Sequence, residues 1–334
     1  MIDSLLLISS DAFDPYRNLA LEEYLLGKLV PGTCILYLWQ NENTVVIGRN
    51  QSALEECNLQ ALAKDGGRLA RRLSGGGAVY HDLGNQNFTF LMPSKDFDKA
   101  RQTEVICTAM RLLELDAQVS GRNDLTIEDR KFSGHAYYHS RTKLGAKGDI
   151  TCSYHHGTVM VSVDGNALGR YLNVNPLKLQ AKGVKSVKSR VANLVDFRPE
   201  TKCAEVRDVL AQAFGSVYGL PVTPLVLSDD DRAAVDQLAA HYASKEWLLR
   251  DEEPLDSSAQ GRFAWGTSRL DWSCTDGCIA KAALWSDGLD ADLLEELPRK
   301  LEGIAVTGPG LGQRLCEAGI PGEIAADLAS LLQE

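Results

Sequence analysis

The most informative stretch of this sequence is RRLSGGGAVYHD, residues 71–82. Three successive glycines, residues 75–77, remove every Cβ, so the backbone there can take positive φ and approach a ligand closely. Exposed amides in such a loop can hold an anion, and the two preceding arginines supply charge and forked donors. For the glycines alone, a turn beside a solvated basic pair is the alternative. Because arginines, a serine and a His-Asp pair flank them, we predict an anion-binding loop, although it lacks the Gly-Lys-Ser/Thr ending of a P-loop.

Around this loop, strand-like and helix-like segments alternate. Runs rich in β-branched, aromatic and leucine residues predict strands at 5–9, 34–39, 44–47, 87–92 and 158–163. Helical patterns cover 18–29 and 99–115, and a hairpin is predicted between 125–127 and 130–133. The strands are mostly separated by tight turns, and the helices are too few for a βαβ series. We therefore predict an α+β fold, a mixed β-sheet with flanking helices.

The C-terminal part predicts a second, smaller unit. Ser228 is expected to cap a helix that runs to Leu249, and a polar stretch follows at 250–261. Beyond this stretch, strands are predicted at 262–271 and 278–285, and helices at 291–301 and 320–332. We predict a large domain at 1–248, a linker at 249–261 and a small α+β domain at 262–334.

The charge distribution limits the classes of partner. The net charge is −10, which argues against a protein that coats nucleic acid or an anionic membrane. Residues 229–334 carry 21 acidic and 9 basic side chains, whereas residues 141–190 carry nine basic and two acidic ones. No apolar run is long enough for a membrane helix, and the N-terminus does not resemble a signal peptide. The eight cysteines are scattered, as is typical of reduced thiols, so we predict a cytoplasmic protein.

A second group of candidate residues lies at 121–136. Lys131 is in a strand-like segment and could neutralise a carboxylate that attacks a phosphate, or the phosphate itself. Asn123 and Asp124 could bind a nucleotide or magnesium, although Asn-Asp is also ordinary in turns. A zinc site at His135, His139 and the 155–156 pair is conceivable, but carboxylates and cysteines at supporting spacing are lacking.

These motifs together resemble the lipoate–protein ligase A family. The matching segments are 18–23, 44–50, 71–85, 121–125, 129–136, 155–158, 181–194 and 262–266, so the likeness covers nearly the whole chain. It implies a catalytic domain of the biotin/lipoate ligase superfamily, followed by an accessory domain. It also implies that lipoate and Mg-ATP give lipoyl-AMP and pyrophosphate. The lipoyl group then passes to a lysine of a lipoyl domain in a 2-oxoacid dehydrogenase E2 subunit, or of glycine cleavage H protein.

The resemblance also implies roles for individual residues. Lys131 matches the lysine that contacts both ATP and lipoate, and it is the candidate catalytic residue. Further residues that the resemblance places at ATP or lipoyl-AMP are Arg72, Ser74, Gly77, Ala78, Val79, Tyr80, His81, Asn85, Asn123 and Asp124. Lipoate is expected at Arg72, Lys131 and His156, and Mg²⁺ at Asp124.

Two departures from the family pattern and two alternative functions remain. The family usually has a small residue where this chain has His135, and the stretch 137–154 is longer than usual.

An octanoyl or lipoyl transferase would use an activated cysteine thiolate, for which Cys152 is the nearest candidate. A non-catalytic lipoate- or nucleotide-binding regulator would need the anion loop but not Lys131.

Overall fold

The computed structural model describes residues 1–121, 123–173, 191–250 and 252–333. This range leaves out residues 174–190, and with them part of the basic stretch 141–190 and most of the matching segment 181–194. The strands are β1 (Ser4–Ser9), β2 (Thr33–Trp39), β3 (Thr44–Ile47), β4 (Arg68–Arg71), β5 (Val79–His81), β6 (Asn85–Pro93), β7 (Gln118–Ser120), β8 (Asp124–Ile127), β9 (Arg130–His139), β10 (Cys152–Met160), β11 (Val222–Pro224), β12 (Ser257–Phe263), β13 (Gly266–Thr275) and β14 (Cys278–Ser286). The helices are α1 (Pro15–Leu26), α2 (Ala53–Glu56), α3 (Leu59–Lys64), α4 (Lys99–Leu112), α5 (Gly165–Tyr171), α6 (Cys203–Tyr218), α7 (Asp229–Tyr242), α8 (Lys245–Leu249), α9 (Ala291–Leu301), α10 (Leu311–Glu317) and α11 (Gly322–Gln333).

The main sheet is mixed, as predicted. Its eight strands have the order β11-β1-β2-β6-β10-β9-β8-β7, with β1 parallel to both of its neighbours and the remaining pairs antiparallel. A small sheet has the order β4-β3-β5, and a third sheet has the order β12-β13-β14. The prediction of a mixed sheet with flanking helices is therefore confirmed.

Each face of the main sheet has its own hydrophobic core. On one face, Val105 and Ile106 of α4 and Leu210 and Phe214 of α6 pack against the strands. On the other face, α1 and α7 pack together with the small sheet, whose Val46 joins that core. This second face leaves room for a cavity between the two sheets. In the described part of the chain, no helix is both long and apolar enough to cross a bilayer.

Two element boundaries differ from the prediction for reasons of local chemistry. Helix α1 begins at Pro15 rather than at residue 18, because Asp14 accepts hydrogen bonds from the amides of Tyr16 (2.9 Å) and Arg17 (3.1 Å). The predicted helix to Leu249 is interrupted, since Ser244 caps a new helix through the Trp247 amide.

The C-terminal unit also differs in detail from the prediction. Strand β12 begins at Ser257, within the range predicted as a linker, and a turn separates it from β13. Its sheet packs against α9, α10 and α11 around an apolar core that includes Leu270, Leu297 and Leu328. This core is separate from the two cores of the main sheet.

Candidate active site

A cavity of about 150 Å³ lies between the main sheet and the small sheet. Trp39 of β2 pairs with Asn87 of β6, and Asn87 pairs with Thr158 of β10, so these side chains share one face. The hydroxyl of Thr158 accepts a hydrogen bond from the Gly134 amide of β9 at 3.3 Å. Because neighbouring strands lie about 4.8 Å apart, this row spans about 14 Å from Trp39 to the strand that carries Lys131.

The glycine loop at 75–77 forms the opposite wall, and Arg72 holds its shape. The Arg72 side chain is buried, and its Nη2 donates to the carbonyls of Gly75 (2.8 Å) and Gly77 (2.9 Å). Its Nη1 donates to the Val46 carbonyl at 3.1 Å. Burial lowers the pKa of Arg72 to about 10, which leaves it protonated at neutral pH. Gly76, with φ +92°, has a conformation that favours glycine.

Behind the loop, a buried chain of hydrogen bonds orients His156. The Nε2 atom of His156 lies 2.8 Å from Ser74 Oγ, and its Nδ1 lies 2.8 Å from Glu22 Oε1. The same carboxylate oxygen accepts from Thr89 Oγ1 at 2.6 Å, and Thr89 accepts from Trp39 Nε1 at 3.0 Å. A carboxylate can only accept, so Nδ1 of His156 donates to Glu22. The chain joins the glycine loop, α1 and the main sheet.

Lys131 stands at the other end of the cavity, beside Asp124. Its ammonium lies 2.7 Å from Asp124 Oδ1, and both side chains are about one-third exposed to solvent. A β-bulge interrupts the β8–β9 pairing next to Lys131. A Cβ on Gly134 would lie 2.9 Å from Lys131 Nζ and 3.0 Å from Cε. Because Gly134 has no side chain, the end of the Lys131 side chain can occupy this position.

The structure brings most of the predicted site residues to one cavity. Those that line it are Arg72, Gly77, Ala78, Val79, His81, Asn123, Lys131 and His156. Asp124 lies beside the cavity through its pair with Lys131. Ser74 and Asn85 are fully buried and lie behind residues that line the cavity. Ser74 bonds to His156, and Asn85 Nδ2 donates to Asn87 Oδ1 at 2.7 Å. The Tyr80 side chain faces away and packs against Tyr171, because successive residues of a strand point to opposite faces.

Several lining residues were not predicted from the sequence. They are Leu19, Trp39, Val46, Asn87, Gly134, His135, Ala136, Gly157 and Thr158, whereas Gly76 lines the cavity as part of the predicted glycine loop. Trp39, Asn87 and Thr158 belong to three strands that are distant in sequence, so only the pairing register reveals that they share a wall. For His135, the departure from the family pattern is a sequence feature that could have indicated a position at the cavity.

Arg71, grouped with Arg72 as a source of charge for the loop, has a different role. It is fully buried and donates to the backbone carbonyls of Gly48, Arg49 and Gln51, and also to those of Trp247 and Leu248, at 2.7–3.3 Å. Burial lowers the pKa of its guanidinium to about 9. The attribution of loop charge to Arg71 is wrong, because this residue ties α8 to residues 48–51.

Two further histidines, His135 and His155, form a buried hydrogen-bonded pair. His155 Nδ1 lies 2.9 Å from Gln102 Oε1, and its Nε2 lies 3.0 Å from His135 Nδ1. Burial lowers the pKa of His135 to about 3, so it is neutral at physiological pH. In the described ranges, no group of three or more His, Cys, Asp or Glu side chains is arranged to hold a metal ion.

The C-terminal unit packs directly on the outside of the glycine loop. The Gly76 amide donates to the Gly288 carbonyl at 3.1 Å, and a Cβ on Gly75 would lie 2.1 Å from the same oxygen. Nearby, Asn50 Nδ2 donates to the Ala291 carbonyl at 2.6 Å, and Arg49 pairs with Asp292 at 2.7 Å. The loop that lines the cavity is thus also part of the contact with the C-terminal unit, through Gly288 in the segment that follows β14.

Comparison with known proteins identifies the catalytic part. Residues 14–215 match the model of the lipoyl protein ligase A/B catalytic domain. The chain is 39% identical over 309 residues to lipoate-protein ligase A of Blochmanniella pennsylvanica (strain BPEN), which covers 90% of this chain and 88% of that protein. The matched residues include the glycine loop and Lys131.

Solved structures agree with this fold. The crystal structure of Plasmodium falciparum LipL1 in complex with lipoate has a TM-score of 0.82 at 24% identity, covers 99% of this chain and is itself fully covered, which shows the shared fold. The crystal structure of a lipoate-protein ligase A bound with ATP has a TM-score of 0.63 at 26% identity, and the match covers 75% of this chain and 99% of that chain. This chain belongs to the lipoate–protein ligase family.

Proposed function

We propose that this protein is an ATP-dependent lipoate–protein ligase that works in two steps. It converts lipoate and ATP to lipoyl-AMP with release of pyrophosphate. It then transfers the lipoyl group to the amine of a lysine of an acceptor protein, which forms an amide and releases AMP. The observation that carries the proposal is a single cavity with an apolar end at Trp39 and a cationic end at Lys131. Such a shape fits an acyl chain that ends in a carboxylate.

The first step brings together two anions, the lipoate carboxylate and the α-phosphate of ATP. It therefore requires positioning and neutralisation of charge rather than a covalent nucleophile. Lys131 supplies a positive charge at the cavity, and the glycine loop, held by Arg72, supplies backbone close to the ligand. The family relative bound with ATP supports ATP as the second substrate.

Magnesium is the proposed metal, and Asp124 is the residue that would hold it. Magnesium bound with a nucleotide needs one or two protein carboxylates in addition to the phosphates. The Asp124 carboxylate lies beside Lys131 and is partly exposed, so it fits that requirement. When bound, the ion would neutralise phosphate charge. Lys131 and Asp124 would then exchange their mutual contact for contacts with the ligand.

The second step needs an acceptor lysine, and we propose that it belongs to a lipoyl domain of a 2-oxoacid dehydrogenase E2 subunit or to glycine cleavage H protein. The family membership supports this choice. The C-terminal unit at 262–334 is proposed as an accessory domain. Because all eight cysteines are free thiols, we also propose a cytoplasmic location.

A cysteine-based transferase is disfavoured by the position of Cys152. This residue is fully buried, and its Sγ points to the Leu26 carbonyl at 3.5 Å. Burial raises the pKa of its thiol to about 11, whereas a nucleophilic cysteine needs a lowered pKa. A non-catalytic regulator is disfavoured because Lys131 lies in the same cavity as the anion loop.

The variant Cys152→Ser is expected to retain ligation activity, because no thiol takes part in the proposed mechanism. The measurement is the rate of lipoyl transfer to an apo-lipoyl domain, normalised to folded protein. A selective loss of transfer, with pyrophosphate release intact, would favour the cysteine route instead.

The variant Gly134→Ala is expected to fold but to release pyrophosphate at least about tenfold more slowly. The added Cβ would clash with the flexible end of the Lys131 side chain. This end can move aside, but the ammonium is then displaced from its position at the cavity. Gly169→Ala is the matched control, because a Cβ there meets nothing within 4 Å. Equal rates for Gly134→Ala and the control would show that the position of Lys131 is not critical.

The direct test of the proposed function uses purified protein with ATP, magnesium, lipoate and an apo-lipoyl domain. Mass spectrometry should show the acceptor gaining one lipoyl group in an ATP-dependent manner. Omission of the acceptor should leave lipoate-dependent release of pyrophosphate. If lipoyl-AMP forms but the acceptor is not modified, only the first step of the proposed function would stand.

A further inference from the structure

Two buried nitrogen atoms at the Trp39 end of the cavity lack a hydrogen-bond partner. They are Nε2 of His81 and Nδ2 of Asn87, whose side chains are 3% and 1% exposed, and neither atom has a partner within the described ranges. Both residues line the cavity. Buried polar groups in folded proteins are nearly always paired, so each exception calls for an explanation.

A chain of amides determines which nitrogen of His81 carries the proton. Asn18 Nδ2 donates to the Gln40 carbonyl at 2.8 Å, which fixes the orientation of that amide because a carbonyl only accepts. The same Nδ2 lies 3.1 Å from the Ala12 carbonyl and 3.0 Å from the Asn41 amide. An Nδ2 of Asn41 at that place would face it donor to donor, so Asn41 turns its Oδ1 to Asn18 and its Nδ2 to His81. The distance from Asn41 Nδ2 to His81 Nδ1 is 3.2 Å. Nδ1 of His81 therefore accepts, and Nε2 carries the hydrogen.

His81 stays neutral in this setting. Burial, with the nearby charge of Arg72, lowers the pKa of its imidazole to about 3. The neutral ring has one N–H, and that N–H is the one without a partner. Asn87 offers a second donor, since its Oδ1 already accepts from Asn85. The cavity thus contains two N–H donors within an otherwise apolar end.

The position of these donors points to the far end of the acyl chain. The His81 ring contacts Trp39 edge to face, with centroids 6.1 Å apart. Asn87 pairs with Trp39 across β2 and β6. Lys131, which would hold the carboxylate, lies on β9, two strands away from Asn87 on β6 and three from Trp39 on β2, or about 10 to 14 Å. The donors therefore meet the tail of the ligand rather than its carboxylate or the nucleotide.

We propose that His81 Nε2–H and Asn87 Nδ2–H form a donor subsite that recognises the sulfur atoms of the lipoate ring and so selects lipoate over purely hydrocarbon acids. This inference rests on the proposed function. Sulfur is a weak acceptor, and an apolar tail would leave both donors unpaired in a dry pocket. A site whose donors bond to a substrate atom discriminates against an analogue that lacks this atom, because the buried donors are then left unpaired.

The test compares lipoate with 5-cyclopentylpentanoate, in which carbon replaces both ring sulfurs at the same chain length. Pyrophosphate release is measured with ATP and magnesium, and the ratio of kcat/KM for the two acids is calculated. We expect the wild-type ratio to favour lipoate by about three- to tenfold for each donor. A ratio near one, with both acids active, would overturn the subsite but leave the proposed function intact. Absence of release with either acid would instead refute the proposed function.

A matched pair of variants separates the subsite from general effects on the fold. His81→Phe removes both nitrogens at similar volume and should bring the ratio towards one. His155→Phe makes the same change in a buried histidine whose two nitrogens are already paired and which is absent from the cavity lining. It should leave the ratio unchanged. An equal change of ratio in both variants would overturn the proposal.

The ring proton can also be observed directly, even if His81→Phe fails to fold. In ¹⁵N spectra of the wild-type protein, the His81 Nε2 signal should be that of a protonated nitrogen. It should shift when lipoate binds and shift less when the cyclopentyl analogue binds. A deprotonated Nε2, or identical shifts with both acids, would refute the donor assignment.

Discussion

Replacement of Lys131 by alanine is expected to lower lipoate-dependent pyrophosphate release by about 10²–10³-fold, the cost typical of losing one preorganised charge-stabilising donor. The ammonium is the positive charge that the structure places at the cationic end of the cavity, against Asp124. Without it, the lipoate carboxylate and the α-phosphate must approach each other unneutralised, and the Asp124 carboxylate adds a further negative charge. The effect should appear mainly in kcat.

The control for Lys131→Ala is Lys143→Ala, which removes an exposed lysine that does not line the cavity. Both variants should keep the thermal midpoint of the wild type, because the partly exposed Lys131–Asp124 ion pair contributes only about 0–1 kcal/mol and Lys143 is exposed. Near-normal release of pyrophosphate by folded Lys131→Ala would remove the central residue of the proposed mechanism.

The parts of the site that could be predicted from sequence are those that are local. Three adjacent glycines with flanking arginines and a lysine in a polar strand carry their chemistry within a few residues. The lining strands also show local patterns, so β2, β3 and β6 were predicted nearly in place. The mixed sheet followed from tight turns and few helices.

The parts that could not be predicted depend on contacts between distant segments. Glu22 and Glu23 are neighbours on α1 with identical side chains, yet Glu22 bonds His156, 134 residues later, and Glu23 accepts from Tyr242. Helix geometry separates them by about 100°, so packing alone decides which one enters the site. Likewise, the sequence does not reveal that a nitrogen of His81 is unpaired, because this depends on the residues that fold around it.

Arg71 and Arg72 illustrate the same limit within one strand end. Successive residues of a strand point to opposite faces, so one guanidinium faces the glycine loop and the other packs under α8. Both are buried and both donate to backbone carbonyls. Their sequence context is the same, whereas one shapes the cavity wall and the other fixes the segment behind it.

Replacement of Arg71 by methionine is expected to lower the free energy of unfolding by about 3–5 kcal/mol. Methionine fills a similar volume but leaves the five carbonyls that the guanidinium bonds, including those of Gly48 and Leu248, without their donor in a buried setting. The midpoint of thermal unfolding should fall by roughly 10 °C. Arg71→Lys should recover only part of this loss, because a single ammonium has three donors and lacks the planar fork.

The control for Arg71→Met is Arg299→Met at an exposed position of α9, where the change should stay within about 0.5 kcal/mol. Differential scanning calorimetry on the three variants and the wild type gives the comparison. The segment that Arg71 holds, residues 48–51, includes Arg49 and Asn50, which contact the C-terminal unit. Loss of Arg71 should therefore also expose the 288–292 contact to faster amide exchange. A stability equal to that of Arg299→Met would show that the carbonyls find other donors and that Arg71 does not tie these segments together.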